Sequence, residues 1–144
     1  MTIDQISVFL ENRAGQLADV VQTLAEADIN IRGLSLADTS DFGILRLIVC
    51  EQKKAIDVLL RSGFTMGRTS VLAIVFKDEG GALNQLLQLI SKADINVEYM
   101  YGCTSDIPGK AIMIFRFDRI DEAERILRGS NVEILSPDIL CNDR

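Results

Sequence analysis

Apolar and polar positions alternate at the start of the chain. Ile6, Val8 and Leu10 are separated by Ser7 and Phe9, so Ile3–Leu10 reads as a strand buried on one face and partly on the other. A break at Glu11-Asn12-Arg13-Ala14-Gly15 follows. The period then changes: Leu17, Val20, Val21 and Leu24 form the i, i+3, i+4, i+7 stripe of an amphipathic helix, with Asp28 and Asn30 bracketing the turn out of it. Ile31–Ala37 and Ile44–Cys50 read as two strands joined by a loop of turn formers, Asp38-Thr39-Ser40-Asp41-Phe42-Gly43. Lys53–Arg61 is helical with Ile56, Leu59 and Leu60 inward, Gly63 caps it, and Phe64–Met66 is a short last strand. The predicted order is β-α-β-β-α-β.

The same order then returns. Gly15–Ile31 lies over Gly81–Val97 without a gap, 66 residues apart, with seven of seventeen positions identical and four more exchanging one aliphatic residue for another. Ala-Asp-Ile-Asn at 27–30 and 93–96 is repeated in full. The second copy predicts strand Val71–Phe76, helix Ala82–Lys92, strands Val97–Thr104 and Ala111–Phe117, helix Asp121–Leu127 and strand Val132–Leu135. From Ala55 and Ala123 onward the offset is 68, so the loop Ser105–Lys110 has gained two residues, and a loop is where a structural repeat tolerates insertion. A period of this length means one supersecondary unit used twice. Two small domains follow, 1–69 and 70–144, each an α+β, ferredoxin-like βαββαβ unit with both helices on one face of an antiparallel sheet. Units of about 70 residues bury only about 60% of their unfolded surface, so the copies are expected to pack together.

Composition narrows the function classes. The chain is 48% hydrophobic and 25% charged, as globular proteins are. Its formal net charge of −6 speaks against a nucleic-acid partner, which needs a basic stripe. No aliphatic run approaches a membrane span and the N-terminus has no signal-peptide pattern, so no membrane partner is expected and the cytoplasm is the expected location. Three scattered cysteines without a CxxC read as free thiols, with neither a disulfide framework nor a metal site. The absence of histidine removes the commonest general base and metal ligand, and with them a Ser-His-Asp triad. No catalytic residue, metal ligand or cofactor is expected.

The remaining chemistry lies at the strand-to-helix turn. Gly15 gives that turn backbone freedom and room for a ligand. The amides of Gly15, Gln16 and Leu17 would be the partly positive donors of a helix start, suited to a carboxylate. The side chains of Asn12 and Asn30 each offer a donor and an acceptor, and together could clamp the carboxylate and ammonium of a free amino acid. The same residues also have a purely conformational reading, as turn and helix-exit residues. Tyr99 and Tyr101 are either rim residues or packing on a sheet face, and Met113, Phe115 and Phe117 alternate as core. Arg46 and Arg116 read as outward-facing on the open sheet face, and Asp118–Arg128 as a solvated helix face.

Glu-Asn-Arg-Ala-Gly-Gln-Leu followed by Ala-Asp-Ile-Asn-Ile resembles the ACT domain, a βαββαβ amino-acid sensor attached to many enzymes of amino-acid metabolism. Asn12, Gly15, Leu17, Asp28, Ile29 and Asn30 fit the family's pattern, while Ala14 stands where proline is common. In the second copy Gly81, Leu83, Asp94, Ile95 and Asn96 fit, but Asp78 replaces the asparagine and Gly80 the proline. The resemblance covers all but the tail Ser136–Arg144. It implies two units side by side in an eight-stranded antiparallel sheet with four helices on one face, and ligands held by the turn of one unit and the second strand of the other. One pocket would then use Asn12, Ala14, Gly15, Gln16 and Leu17 with Asn96 and Val97; the other Asp78, Gly80, Gly81, Ala82 and Leu83 with Asn30 and Ile31.

The resemblance implies a regulatory sensor that binds a free amino acid and signals to a partner. A homodimer and an amino-acid-metabolism enzyme are the protein partners it allows. The alternatives are a non-catalytic subunit whose ligand is mainly structural, and a small enzyme on the same fold relying on Asp78, Cys103 or a tyrosine. Because ionised Asp78 only accepts hydrogen bonds, the two pockets are expected to differ in affinity.

Overall fold

The computed structural model describes residues 1–38 and 41–142. Thr39 and Ser40 of the expected first hairpin loop, and the last two residues of the tail, lie outside the described residues. In chain order the elements are β1 (Ile3–Glu11), α1 (Gln16–Glu26), β2 (Ile31–Asp38), β3 (Phe42–Val49), α2 (Gln52–Arg61), β4 (Thr65–Lys77), α3 (Ala82–Lys92), β5 (Val97–Cys103), β6 (Lys110–Phe117), α4 (Ile120–Gly129), β7 (Glu133–Leu135) and α5 (Pro137–Asn142). The chain divides into two compact units, one spanning Asp4–Thr69, the other combining Met1–Ile3 with the residues from Ser70 onward.

In the first unit β3 lies between β1 and β2, antiparallel to both. The even positions of β1 and the odd positions of β3 face the helices, so Ile6, Val8, Leu10, Leu45, Leu47 and Val49 meet Val20 and Leu24 of α1 and Ala55 and Leu59 of α2 in one buried core. Phe64 and Met66 pack against its margin. The opposite face of β1 carries Gln5 and Ser7, both buried, with the Gln5 amide donating to the Ser7 hydroxyl at 3.1 Å. Burying those polar groups is tolerated because they pair. Arg32 is also buried, at 5% exposure, where sequence alternation gave no sign of a buried cation.

The second unit repeats the plan with strand order β5-β6-β4-β7, antiparallel throughout. Leu72, Ile74, Phe115 and Phe117 of the sheet meet Leu86 and Ile90 of α3 and Ala123 and Leu127 of α4. Met113 packs against this core, and the rings of Phe115 and Phe117 stack at 5.4 Å. Register is repeated as faithfully as sequence: Leu10 faces Gly43 in one unit and Phe76 faces Ala111 in the other. The shift in register at Ile31/Gly33 recurs at Val97/Tyr99.

Three features differ from the sequence reading. Seven strands, not eight, run through the described residues, because the end of the first copy and the start of the second are one strand, β4. Nothing in Thr65–Lys77 interrupts it: there is no proline, and Gly67 meets no crowding that would require a turn. A fifth helix, α5, forms in the tail that the family resemblance left out. Its signal was legible. Ser136 accepts the Ile139 amide at 3.3 Å, Pro137 occupies the first helical position, and Leu140 is buried. The cysteine expectation also changes, since Cys103 is a free thiol but Cys50 and Cys141 are disulfide-bonded. No regular cysteine spacing marks either residue. No helix among the described residues is long and apolar enough to cross a membrane.

Candidate functional site

The strand-to-helix turn has nearly the same backbone in both units. Gly15 sits at φ 91°, ψ −16° and Gly81 at φ 92°, ψ −19°, a left-handed conformation that a side chain resists. A Cβ at either position would meet nothing within 4 Å, so the glycine answers to backbone conformation and leaves open space above the turn. The Asn12 amide donates to the Asp41 carbonyl at 3.2 Å and the Asp78 amide to Gly109 at 2.9 Å, tying each turn to its hairpin loop. Asp19 to Gly15 and Gln85 to Gly81 then start the helices. Neither α1 nor α3 has a side-chain cap. First-turn amides without a side-chain partner, at the positive end of an 11-residue helix, are suited to a small anion.

The side chains around the two turns are not alike. The Gln16 carbonyl accepts the Glu11 amide at 3.2 Å, and Arg13 donates to the Glu11 carboxylate at 3.1 Å. Ala82 replaces Gln16 in the second unit and cannot make the first of these bonds. Asn12, Ala14, Gly15 and Leu17 are exposed and Gln16 is half-buried; Asp78, Gly80 and Gly81 are exposed, and Ala82 and Leu83 half-buried. Leu83 and Val97 pack against the second core and Ile31 against the first.

Asn30 and Asn96 are exposed and sit at the far ends of α1 and α3 from the turns. An 11-residue helix is about 16 Å long. A single unit therefore does not bring Asn12 and Asn30 onto one small ligand, and the clamp imagined within one copy is not formed. What the repeated Ala-Asp-Ile-Asn run does within a unit is end the helix. Asp28 and Asp94 adopt φ 59° and 56°, their amides bond to Ala25 and Ser91, and Ile29 and Ile95 return to Leu24 and Ile90. This is the Schellman arrangement with the following isoleucine buried. Beyond it, Asn96 is held by Asp118, whose carboxylate accepts the Asn96 amide at 3.0 Å while its own amide donates to the Asn96 carbonyl at 3.1 Å. The sequence reading put Asp118 on a solvated helix face and gave it no part at this exit; its place in the first copy is taken by Cys50. A cavity of 480 Å³ borders Asn96 and Val97, with Asp94, Asp118 and Ser91 on its wall. Its carboxylates suit an ammonium group.

Other candidates resolve into packing. Tyr101 is buried and stacks on Tyr99 at 6.4 Å on the face of β5 away from the Met100–Phe115 core side. Arg116 is half-buried, donating to Glu98 at 3.2 Å and to the Ser70 carbonyl at 2.8 Å. No group of three or more His, Cys, Asp or Glu side chains that could hold a metal occurs among the described residues.

Comparison with known proteins accords with this geometry. A family model described as an ACT domain pair matches residues 1–142. A crystal structure of a protein from Bacteroides thetaiotaomicron superposes with a TM-score of 0.91 at 33% identity, covering 99% of this chain and 97% of that one. The ligand-free regulatory subunit of aspartate kinase from Thermus thermophilus shares the fold at TM-score 0.64 and 17% identity, over 89% of this chain and 90% of that one. The corresponding subunit from Thermus flavus gives 0.63 at 18% identity, over 89% and 90%. No curated protein matches the chain.

Proposed function

The chain belongs to the ACT domain pair family, and from that premise we propose that it is a non-catalytic sensor of a free amino acid that signals to a partner protein. The observation carrying this reading is the paired turn, in which a left-handed glycine opens a helix without a side-chain cap in both copies. In the proposed complex the ligand carboxylate meets those helix amides. Its ammonium meets an asparagine and neighbouring carboxylates at the helix exit of the other copy, Asn96 with Asp94 and Asp118 in one case and Asn30 with Asp28 in the other. Taking the two halves from different copies is what the length of α1 and α3 favours, since one unit holds its turn and its asparagine at opposite ends of a helix. Ligand that bridges two parts of a chain stabilises the bridged arrangement and so biases what a partner recognises.

A thermal-shift screen of the twenty amino acids tests the reading. Ligand at one hundred times its dissociation constant adds about 2.7 kcal/mol, several degrees for a chain of this size. An amino acid of one side-chain class should stand out, and a flat screen would refute the sensor. Calorimetry with that amino acid should then show two unequal sites, because Asp78 stands where the first copy has Asn12. Two equal and independent sites would contradict this. A second reading, a non-catalytic subunit of an amino-acid enzyme, is favoured by the fold shared with aspartate kinase regulatory subunits. Stoichiometric recovery of an enzyme in a pull-down would favour it.

A further inference from the structure

Each unit holds a cavity beside its strand-to-helix turn, and every residue lining the first unit's cavity has its counterpart in the second's, which adds Leu86 and Leu89. In the first unit it is 580 Å³, lined by Phe9, Leu10, Glu11, Phe42 and Phe64 among others. In the second it is 440 Å³, with Val75, Phe76, Lys77, Lys110 and Val132 at the same places. Both lie between the strand-to-helix turn and the end of the second helix, inside one unit, away from Asn30 and Asn96. Shared backbone has been given different chemistry: one copy has an aromatic wall and a cation, Arg13, already paired with Glu11 at 3.1 Å, and the other has two ammonium groups side by side.

The lysine pair is the telling difference. Lys77 of β4 and Lys110 of β6 are direct cross-strand partners, where like charges repel. In the first unit the same two positions hold Glu11 and Phe42, which do not. Two carboxylates, Glu79 and Glu133, also line the cavity, yet neither lies within 4.0 Å of either ammonium, and neither lysine forms an ion pair with any described residue. Chain-wide net charge is −6, so carboxylates to neutralise the pair are abundant and are not used. Gln85 and Asn131 supply amide donors on the remaining wall, while the Ser130 hydroxyl is already engaged, donating to the Ile126 carbonyl at 3.1 Å. We propose that the second unit's cavity is an oxyanion site, in which Lys77 and Lys110 close on a phosphoryl or carboxylate group, and that the first unit's cavity has lost or never had this capacity.

The test is thermal unfolding of the full chain in sodium phosphate, sodium succinate and sodium chloride at matched ionic strength. The same series is run on a double variant, Lys77→Gln with Lys110→Phe, the latter introducing the residue that the first unit tolerates as Phe42. Chloride reports simple screening of the repulsion. The general stabilising effect of phosphate is common to both proteins and cancels. The wild-type chain should gain about 2 °C or more in phosphate or succinate over chloride beyond any gain in the variant. Which of the two anions does this separates a phosphoryl from a carboxylate ligand. Binding of the effective anion, followed by calorimetry, should weaken at least about tenfold in the variant. Equal midpoints in all three salts, or an anion-specific gain that survives in the variant, would overturn the proposal. A variant that failed to fold would be replaced by Lys110→Gln alone, read the same way.

Discussion

At the scale of single residues, identity between the copies falls at two places where the backbone turns left-handed. Gly15 and Gly81 are kept by conformation, at φ 91° and 92° with nothing near a would-be Cβ. Asp28 and Asp94 are kept at the left-handed step that ends each helix, where aspartate is tolerated and glycine would be easier still. Replacing Asp28 or Asp94 with glycine should therefore leave stability unchanged or raise it by up to about 1 kcal/mol, and replacing either with valine should cost about 1–2 kcal/mol. Urea unfolding midpoints would check both signs, and a marked loss for Asp94→Gly would show that its carboxylate has a structural role of its own. Glycine plus the repeated Asp-Ile-Asn was legible in sequence as a pair of turns. That the aspartate takes the left-handed step was not, because aspartate is equally at home in ordinary turns.

At the scale of elements, the four helices α1 to α4 share one exit. The left-handed residue is Asp28, Gly63, Asp94 or Asn131, and the next residue's amide returns to the carbonyl five positions back in every case. Periodicity located these helices well, and Gly63 was visible as a cap. The exits are nonetheless reinforced unequally. Arg119, at the start of α4, donates to the carbonyls of Ala93 at 3.0 Å and Asp94 at 2.7 Å, and also pairs with Glu122 at 2.5 Å. Glu51 stands at the equivalent place in the first copy and cannot donate to carbonyls from its side chain. Arg119→Ala should cost about 1 kcal/mol in chemical denaturation and Glu51→Ala close to nothing. Equal effects would mean that the arginine's bonds to the helix exit contribute no net stability. A long-range cap of this kind has no sequence signature, since its partners are 25 and 26 residues away.

At the scale of the whole molecule, charge makes the most direct prediction. With a formal net charge of −6 at neutral pH and a sequence isoelectric point near 4.6, solubility should pass through a minimum as pH falls to about that value, measurable by light scattering across a pH series. A minimum near neutrality instead would point to a charge balance altered by bound ions. The sequence by itself determined what depends on local periodicity and repetition. It specified the βαββαβ order twice, the two cores, the glycine turns and the ACT resemblance, because side-chain period and turn chemistry are written within a few residues of one another. Tertiary structure decided what depends on distant neighbours. It ran the end of one copy and the start of the next together as β4, because no backbone break separates them. It also set Lys77 across from Lys110 beside a cavity, a juxtaposition created only when strand register brings residues 33 apart face to face.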